Sequence, residues 1–118
     1  MPDLPLLLEA VEEDIKDAEE IIGNDSGPLT EPDLSNASSE LDQADAHAAD
    51  ALQDPTLVNL VPTFLGTPWP SGANNKVALA VQWSEEASTG SDQDKADRLG
   101  SVREIITFIK TDIEGLSR

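Results

Sequence analysis

"LVPTFLGTPWPSGANNKVALAVQW", the segment from Leu60 to Trp83, contains a single charged residue, Lys76, and no acid. The chain as a whole carries 24 Asp and Glu against 7 Lys and Arg in 118 residues, a formal net charge of −17. The first part of the segment is rich in Pro and Gly and is expected to be a loop. The second part, residues 76–83, alternates large and small residues, which predicts a short β-strand. One face of this strand carries the large apolar side chains of Val77, Leu79, Val81 and Trp83.

The rest of the chain has the apolar spacing of amphipathic helices, with apolar residues three and four positions apart. A first helix is expected between Asp3, a suitable N-cap, and Gly23, and a second one after Thr30, where "TEPD" fits a capping box. Residues 55–61 look like a short third helix with an Asp-Pro start, and a strand is the alternative. After an acidic loop, a last and most apolar helix is predicted over 92–116. The expected fold class is mostly α, with three to four helices and a minor strand element.

The length of the chain corresponds to a single domain over residues 1–118. Its charged residues, however, are distributed unevenly between two parts of the sequence. Residues 1–54 form an acidic helical half with 16 acids and one base, whereas residues 55–118 hold 8 acids and 6 bases. Within the second part, residues 55–84 form a loop and strand segment without any acid. We expect the acidic half to face solvent. The uncharged segment is expected to be covered, either by the last helix of the same chain or by a neighbouring subunit.

The excess of acidic residues argues against some classes of binding partner and favours particular solvent conditions. A strongly negative field repels phosphate backbones and anionic lipids, which argues against direct nucleic-acid binding and membrane association. The small residues and the low Lys content, 4 of 118, resemble proteins of halophiles such as the haloarchaea and their viruses, where molar salt screens carboxylate repulsion. The alternative is an acidic surface that binds a basic partner or mimics nucleic acid. The chain lacks cysteine, a signal-peptide pattern and a long apolar run, so a soluble protein is expected.

No catalytic constellation is predicted. The only histidine, His47, would share a helix face with Asp50 and Gln43, and an exposed histidine among acids accounts for this grouping without a metal. The segment "DQDKAD", residues 92–97, lacks the glycine and the ligand spacing of a calcium loop, and its acids suit a helix N-terminus. No residue is therefore assigned as catalytic, cofactor-binding or metal-ligating, no cofactor is expected, and the protein is not expected to be an enzyme.

One segment resembles a known family. "ALQDPTLVNLV", Ala51 to Val61, is similar to the "LxxDPxLxxLV" segment of small head–tail joining and tail-completion proteins of tailed viruses. Those proteins have a similar size, open with a helix and work as rings between capsid and tail. The resemblance covers 11 of the 118 residues, and the family usually continues with several strands where one is predicted here. It implies a virion component at the neck or tail.

The sequence thus predicts a non-enzymatic structural or assembly protein of a halophilic system, located in a virion or in the cytoplasm of the host. Its partners would be further copies of the chain, other virion proteins, or both. An acidic regulatory protein that binds a basic partner is the alternative, and a small salt-adapted enzyme or ligand-binding domain is a third hypothesis. The candidate interface residues come from the uncharged segment and from the second flank of the last helix: Phe64, Trp69, Val77, Leu79, Val81, Trp83 and Ile105.

Overall fold

Four α-helices make up most of the structure, a computed structural model that describes residues 3–24, 28–63 and 69–116. The helices are α1 (Leu4–Asn24), α2 (Glu31–Leu52), α3 (Ala73–Thr89) and α4 (Asp92–Gly115). The mostly α fold class is confirmed. The described part of the chain contains no β-strand, so the predicted minor strand element is not part of it.

The first two helices follow the predicted apolar pattern. In α1 the buried side chains lie three and four residues apart and include Val11 and Ile15, which are fully buried. In α2 the buried stripe consists of alanines and one large residue, Leu41. The predicted N-cap of α2 is confirmed, because the Thr30 hydroxyl accepts a hydrogen bond from the Asp33 N–H at 3.3 Å. Local sequence signals therefore determine this half of the bundle.

The predicted strand over 76–83 is wrong, because these residues belong to α3. This helix buries a stripe with mostly helical spacing: Ala73, Val77, Ala80, Trp83, Ser84 and Ala87. Half of the residues in this stripe are alanine, which is the best helix former but only weakly hydrophobic. The helical spacing was therefore less apparent in the sequence than the alternation of the large apolar residues. A helix also satisfies its backbone groups internally, whereas a strand needs a neighbouring strand. α3 continues to Thr89 and includes residues that were expected to form an acidic loop.

The predicted third helix over 55–61 is also wrong, since the residues after α2 form tight turns. The N–H groups of Leu57 and Val58 both donate to the Asp54 carbonyl at 2.8 Å. The Asp54 carboxylate accepts from the Thr56 N–H at 2.9 Å and from the Thr56 hydroxyl at 2.7 Å. This side chain satisfies the turn locally, as Asp commonly does at such positions. The turn buries Leu57 but leaves Val58 exposed.

The predicted last helix is confirmed as α4. Its start is fixed by a capping box in which the Ser91 hydroxyl accepts from the Asp94 N–H and the Asp94 carboxylate accepts from the Ser91 N–H, both at 3.2 Å. The residue after its end, Leu116, accepts a hydrogen bond through its carbonyl from the Leu29 N–H at 2.9 Å. Buried residues occupy two flanks of α4: Ala96, Leu99, Ser101, Val102, Ile105, Ile106, Ile109 and Ile113. These flanks pack against α2 and α3.

The order of the helices around the bundle is α1, α2, α4, α3. Ion pairs along the α2–α4 and α3–α4 contacts join residues in reverse sequence order, so both contacts are antiparallel. These pairs are Asp42–Lys110, Asp45–Arg103, Lys76–Asp112 and Glu86–Arg98. α2 and α3 therefore point in the same direction, and the chain between them has to return along the bundle before α3 begins. We call this connection, described over residues 53–63 and 69–72, the crossover segment.

Candidate interaction surfaces

The crossover segment packs against the first half of α4. Pro62 lies over Gly100, where an added Cβ would come within 3.0 Å of the Pro62 Cβ. A larger residue at position 100 would therefore require the Pro62 ring to shift by a few tenths of an ångström, and glycine leaves it room. Two hydrogen bonds hold the segment on either side of Pro62: Gln93 Nε2 to the Val61 carbonyl at 3.1 Å, and the Thr63 N–H to Asp97 Oδ1 at 2.6 Å.

The other end of the crossover segment is held by an aromatic cluster. The Trp69 ring meets Trp83 edge-on, with ring centroids 5.6 Å apart and an interplanar angle of 75°. It also contacts Phe108, with the same centroid distance and a tilt of 39°. The edge-on contact with Trp83 is a favourable geometry for aromatic pairs, and both centroid distances lie in the usual range of about 4.5–7 Å. Because Trp83 is buried and Phe108 is 43% exposed, the cluster connects the core to the surface.

The predicted interface residues fall into three groups. Those buried in the chain's own core are Val77, Trp83 and Ile105, and those half-buried against it are Leu79, Val81 and Trp69. Phe64 lies outside the described residues. The buried group is at most 5% exposed. In this fold a partner can contact the half-buried group, whereas contact with the buried group would require the bundle to open.

Five exposed large apolar side chains of the described residues were not among the predicted interface residues, and Leu6 and Leu116 are two of them. Val61 is 80% exposed and Val58 is 47% exposed, both in the turns that follow α2, and Phe108 is exposed on α4. The two valines belong to the acid-free segment over residues 55–84, which was expected to be covered by the last helix or by a neighbouring subunit. A signal for Val61 was available, because Pro62 directly after it ends regular structure there.

Most of the described basic side chains link one helix to another. Lys76 and Arg98 connect α3 with α4, and Arg103 and Lys110 connect α4 with α2. Lys16 lies 3.5 Å from Glu85 and connects α1 with α3. The remaining described base, Lys95, donates to the Gly90 carbonyl. Lys and Arg thus contribute no ion pair to the α1–α2 contact in the described part of the chain.

Acidic side chains of α1 and α2 lie close together where the two helices pack. Carboxylate oxygens of Asp14, Asp17 and Glu40 all lie within 4.8 Å of one another. Burial, and then the charges of Asp17 and Asp14, raise the pKa of Glu40 above its usual value. His47 lies on α2 beside this cluster, with its Nδ1 2.6 Å from Asp14 Oδ2. Its partner is therefore an acid of the other helix, rather than the predicted neighbours on its own helix.

This acidic cluster has the ligand type of hard cations, since carboxylate oxygens are what such ions prefer. Like charges at this spacing repel, so either proton uptake or cations from the solvent would relieve the repulsion. Acidic groups on exposed surfaces also come close together without a bound ion. The carboxylates of this cluster therefore repel one another across the α1–α2 contact. Because salt screens this repulsion, the stability of the fold is expected to depend on the salt concentration.

None of the described helices is both long and apolar enough to span a membrane. The chain matches no protein-family model, and comparisons with curated proteins and with solved structures found no match either.

Proposed function

We propose that this protein is a non-enzymatic assembly protein of a halophilic system, and that its crossover segment contacts neighbouring subunits. The observation that carries the proposal is the exposure of Val61 and Val58, by 80% and 47%, in the part of the chain that lacks acids. Two copies of a chain with net charge −17 repel each other wherever their carboxylates meet. An uncharged apolar surface is where such copies can approach each other closely.

The distribution of charge supports the halophilic part of the proposal. α1 and α2 each carry a formal charge of −6, counted over their Asp, Glu, Lys and Arg residues. At molar salt the Debye length falls to about 3 Å, so repulsion between exposed carboxylates is largely screened. Apolar contacts between subunits persist under those conditions. High salt therefore favours both the folded bundle and contact between its copies.

The virion setting, at the neck or tail, rests on the resemblance of residues 51–61 to head–tail joining proteins. Val58 and Val61 both belong to this segment. The segment that carries the resemblance thus also exposes two apolar side chains. In this proposal the partners are further copies of the chain or other virion proteins.

The proposal is tested by the oligomeric state of the Val61→Lys variant in molar KCl. The substituted side chain is exposed, so the bundle should fold as in the wild type, whereas a charge in an apolar contact should weaken association about tenfold or more. Sedimentation velocity over a concentration series measures this. Thr107→Lys is a matched control, because it adds the same charge at an exposed position of α4. A wild type that stays monomeric up to millimolar concentration, or equal weakening in both variants, would contradict the proposal.

The acid excess of α1 and α2 favours a second candidate function, an acidic regulatory protein that binds a basic partner. Salt separates the two candidates. A complex held by attraction between exposed charges dissociates as KCl rises towards molar concentration. Assembly through Val58 and Val61 should persist or strengthen over the same range.

A further inference from the structure

A cleft of about 440 Å³ lies at the end of the bundle where α1 begins and α2 ends. Its volume falls within the range of roughly 300–1,000 Å³ that is usual for ligand pockets. The apolar side of the cleft is formed by Leu4, Leu7 and Pro55, and three carboxylates surround it: Asp3, Asp50 and Asp54. The lining residues come from the start of α1, the end of α2 and the start of the crossover segment.

The apolar side of the cleft is partly exposed to solvent. Leu4 and Leu7 are three residues apart on α1, so they lie on the same face of the helix. Leu7 is buried, whereas Leu4 is half-buried and Pro55 is exposed. The same turn of α1 exposes Leu6 by 58%. An aliphatic ligand group placed here would remove further apolar area from water.

The carboxylates around the cleft meet no basic side chain among the lining residues that the structure describes. None of those residues is Lys, Arg or His. Hydrogen bonds from the Thr56 hydroxyl and N–H lower the pKa of Asp54, so this carboxylate stays charged near neutral pH. α2 ends at the cleft without a basic residue in its last turn, and the negative end of its dipole adds to the field of the acids. The opposite dipole end of α1 is offset by Asp3.

We propose that this cleft binds a basic, aliphatic peptide segment of a partner protein. A Lys or Arg side chain would place its charged group among the three carboxylates and its methylene stem along the leucines, as such side chains do on mixed surfaces. A neighbouring leucine-like side chain would cover Leu4 and Pro55. Asp3 and Asp50 are exposed, so the charge contribution to this recognition should weaken as the KCl concentration rises, whereas the apolar contribution should persist. The site is separate from the proposed contact at Val61 and does not depend on it.

The test uses an acetylated and amidated six-residue peptide of alternating leucine and lysine, titrated into the full-length ¹⁵N-labelled protein. The KCl concentration is the lowest at which circular dichroism shows the complete bundle. We expect amide shift changes centred on Leu4, Leu7 and Gln53. We also expect about tenfold weaker binding to the double variant Asp3→Asn/Asp50→Asn, since charge pairs of this kind each change affinity several-fold.

A matched double variant, Glu13→Gln/Glu20→Gln, removes two charges from exposed positions of α1 outside the cleft. It should bind the peptide within about twofold of the wild type, because only distant screened charges differ. Equal weakening in both double variants, or shift changes spread over the acidic faces of α1 and α2, would show non-specific attraction and overturn the proposal.

Two further peptides test the two kinds of contact. Replacing the lysines by citrulline, or the leucines by alanine, should each weaken binding at least about fivefold. Full binding by the alanine peptide would mean that the leucines of the cleft play no part, and would overturn the proposal. Val61→Lys should bind the peptide as the wild type does. Loss of assembly and loss of peptide binding are therefore distinguishable.

Discussion

The two helical hairpins of this bundle share one core but differ in how their charges meet. α1 and α2 carry formal charges of −6 each, whereas α3 and α4 carry −1 and −2. The α3–α4 contact has two ion pairs between helices, Lys76–Asp112 and Glu86–Arg98. At the α1–α2 contact, three carboxylates face one another.

This difference shows that apolar burial and electrostatics have separate roles here. Both hairpins contribute fully buried residues to the same core, such as Ile15 and Ile109. Ion pairs between helices support the α3–α4 contact, whereas at the α1–α2 contact three carboxylates repel one another and the contact between His47 and Asp14 partly offsets that repulsion. The burial therefore holds the bundle together, and the salt concentration should decide how stable its acidic half is.

The largest expected effect would be the same in both hairpins. Ile15→Asp and Ile109→Asp each place an unpaired charge in a fully buried site, at a cost of several kcal/mol against a typical total stability of about 5–15 kcal/mol. We expect both variants to lose cooperative thermal unfolding even in molar KCl. Thr107→Asp, at an exposed position, is the control and should unfold like the wild type. Rescue of either core variant by salt would mean that burial does not dominate.

Ile105→Asp extends this test to a residue first expected to face a partner. Ile105 is fully buried between the helices, so its substitution should unfold the bundle as severely as Ile109→Asp. The measurement is circular dichroism of the variant in molar KCl. A folded Ile105→Asp monomer that fails to assemble would instead support the original assignment of Ile105 to an interface.

The next largest effect should separate the hairpins. When KCl is lowered to a few tens of millimolar, the Debye length grows beyond about 10 Å and repulsion between α1 and α2 is no longer screened. Hydrogen exchange should then increase first in α1 and α2, while α3 and α4 stay protected longer. Simultaneous loss of protection in all four helices would show that the two hairpins open as one unit. Unchanged protection in dilute buffer would contradict salt dependence altogether.

Single charge removals should have opposite signs in the two kinds of contact. Asp17→Asn removes one charge from the repelling cluster and should stabilise the protein by about 0.5 kcal/mol, whereas Asp42→Asn breaks the pair with Lys110 and should destabilise it by a similar amount. Urea unfolding at low and high KCl measures both. Both effects should shrink in molar KCl, because the groups are solvent-accessible. If both variants changed the free energy of unfolding in the same direction, the proposed difference between the repelling cluster and the ion pair would be contradicted.

The smallest expected effect concerns pH. The folded-state pKa of Glu40 is raised, so its protonation stabilises the folded state. Stability from this group is fully present below the unfolded pKa and is lost as pH rises through the raised folded pKa. Lowering the pH from 7 towards the usual value of 4.5 should therefore stabilise the wild type relative to Glu40→Gln, which cannot titrate. A constant difference in urea midpoint between pH 7 and pH 5 would contradict this.

The sequence by itself determined the helices whose signals are local. The stripe of α1, the Thr30 cap of α2 and the span of α4 follow from apolar spacing and capping chemistry, which act over a few residues. The separation of charge between the two halves is also a property of the sequence alone. Both features were correctly predicted, because neither depends on which helices become neighbours.

Tertiary structure decided the rest. Residues 76–83 are helical because Val77, Ala80 and Trp83 face a core that α1 and α4 complete, and the described residues contain no strand that would pair with them. The same arrangement buries Ile105, exposes Val61 and brings Glu40 to Asp14, all through contacts between residues distant in sequence. Local helix and strand propensities are weak compared with the free energy of apolar burial in a shared core. Which helix faces pack against each other cannot be read from the local sequence pattern.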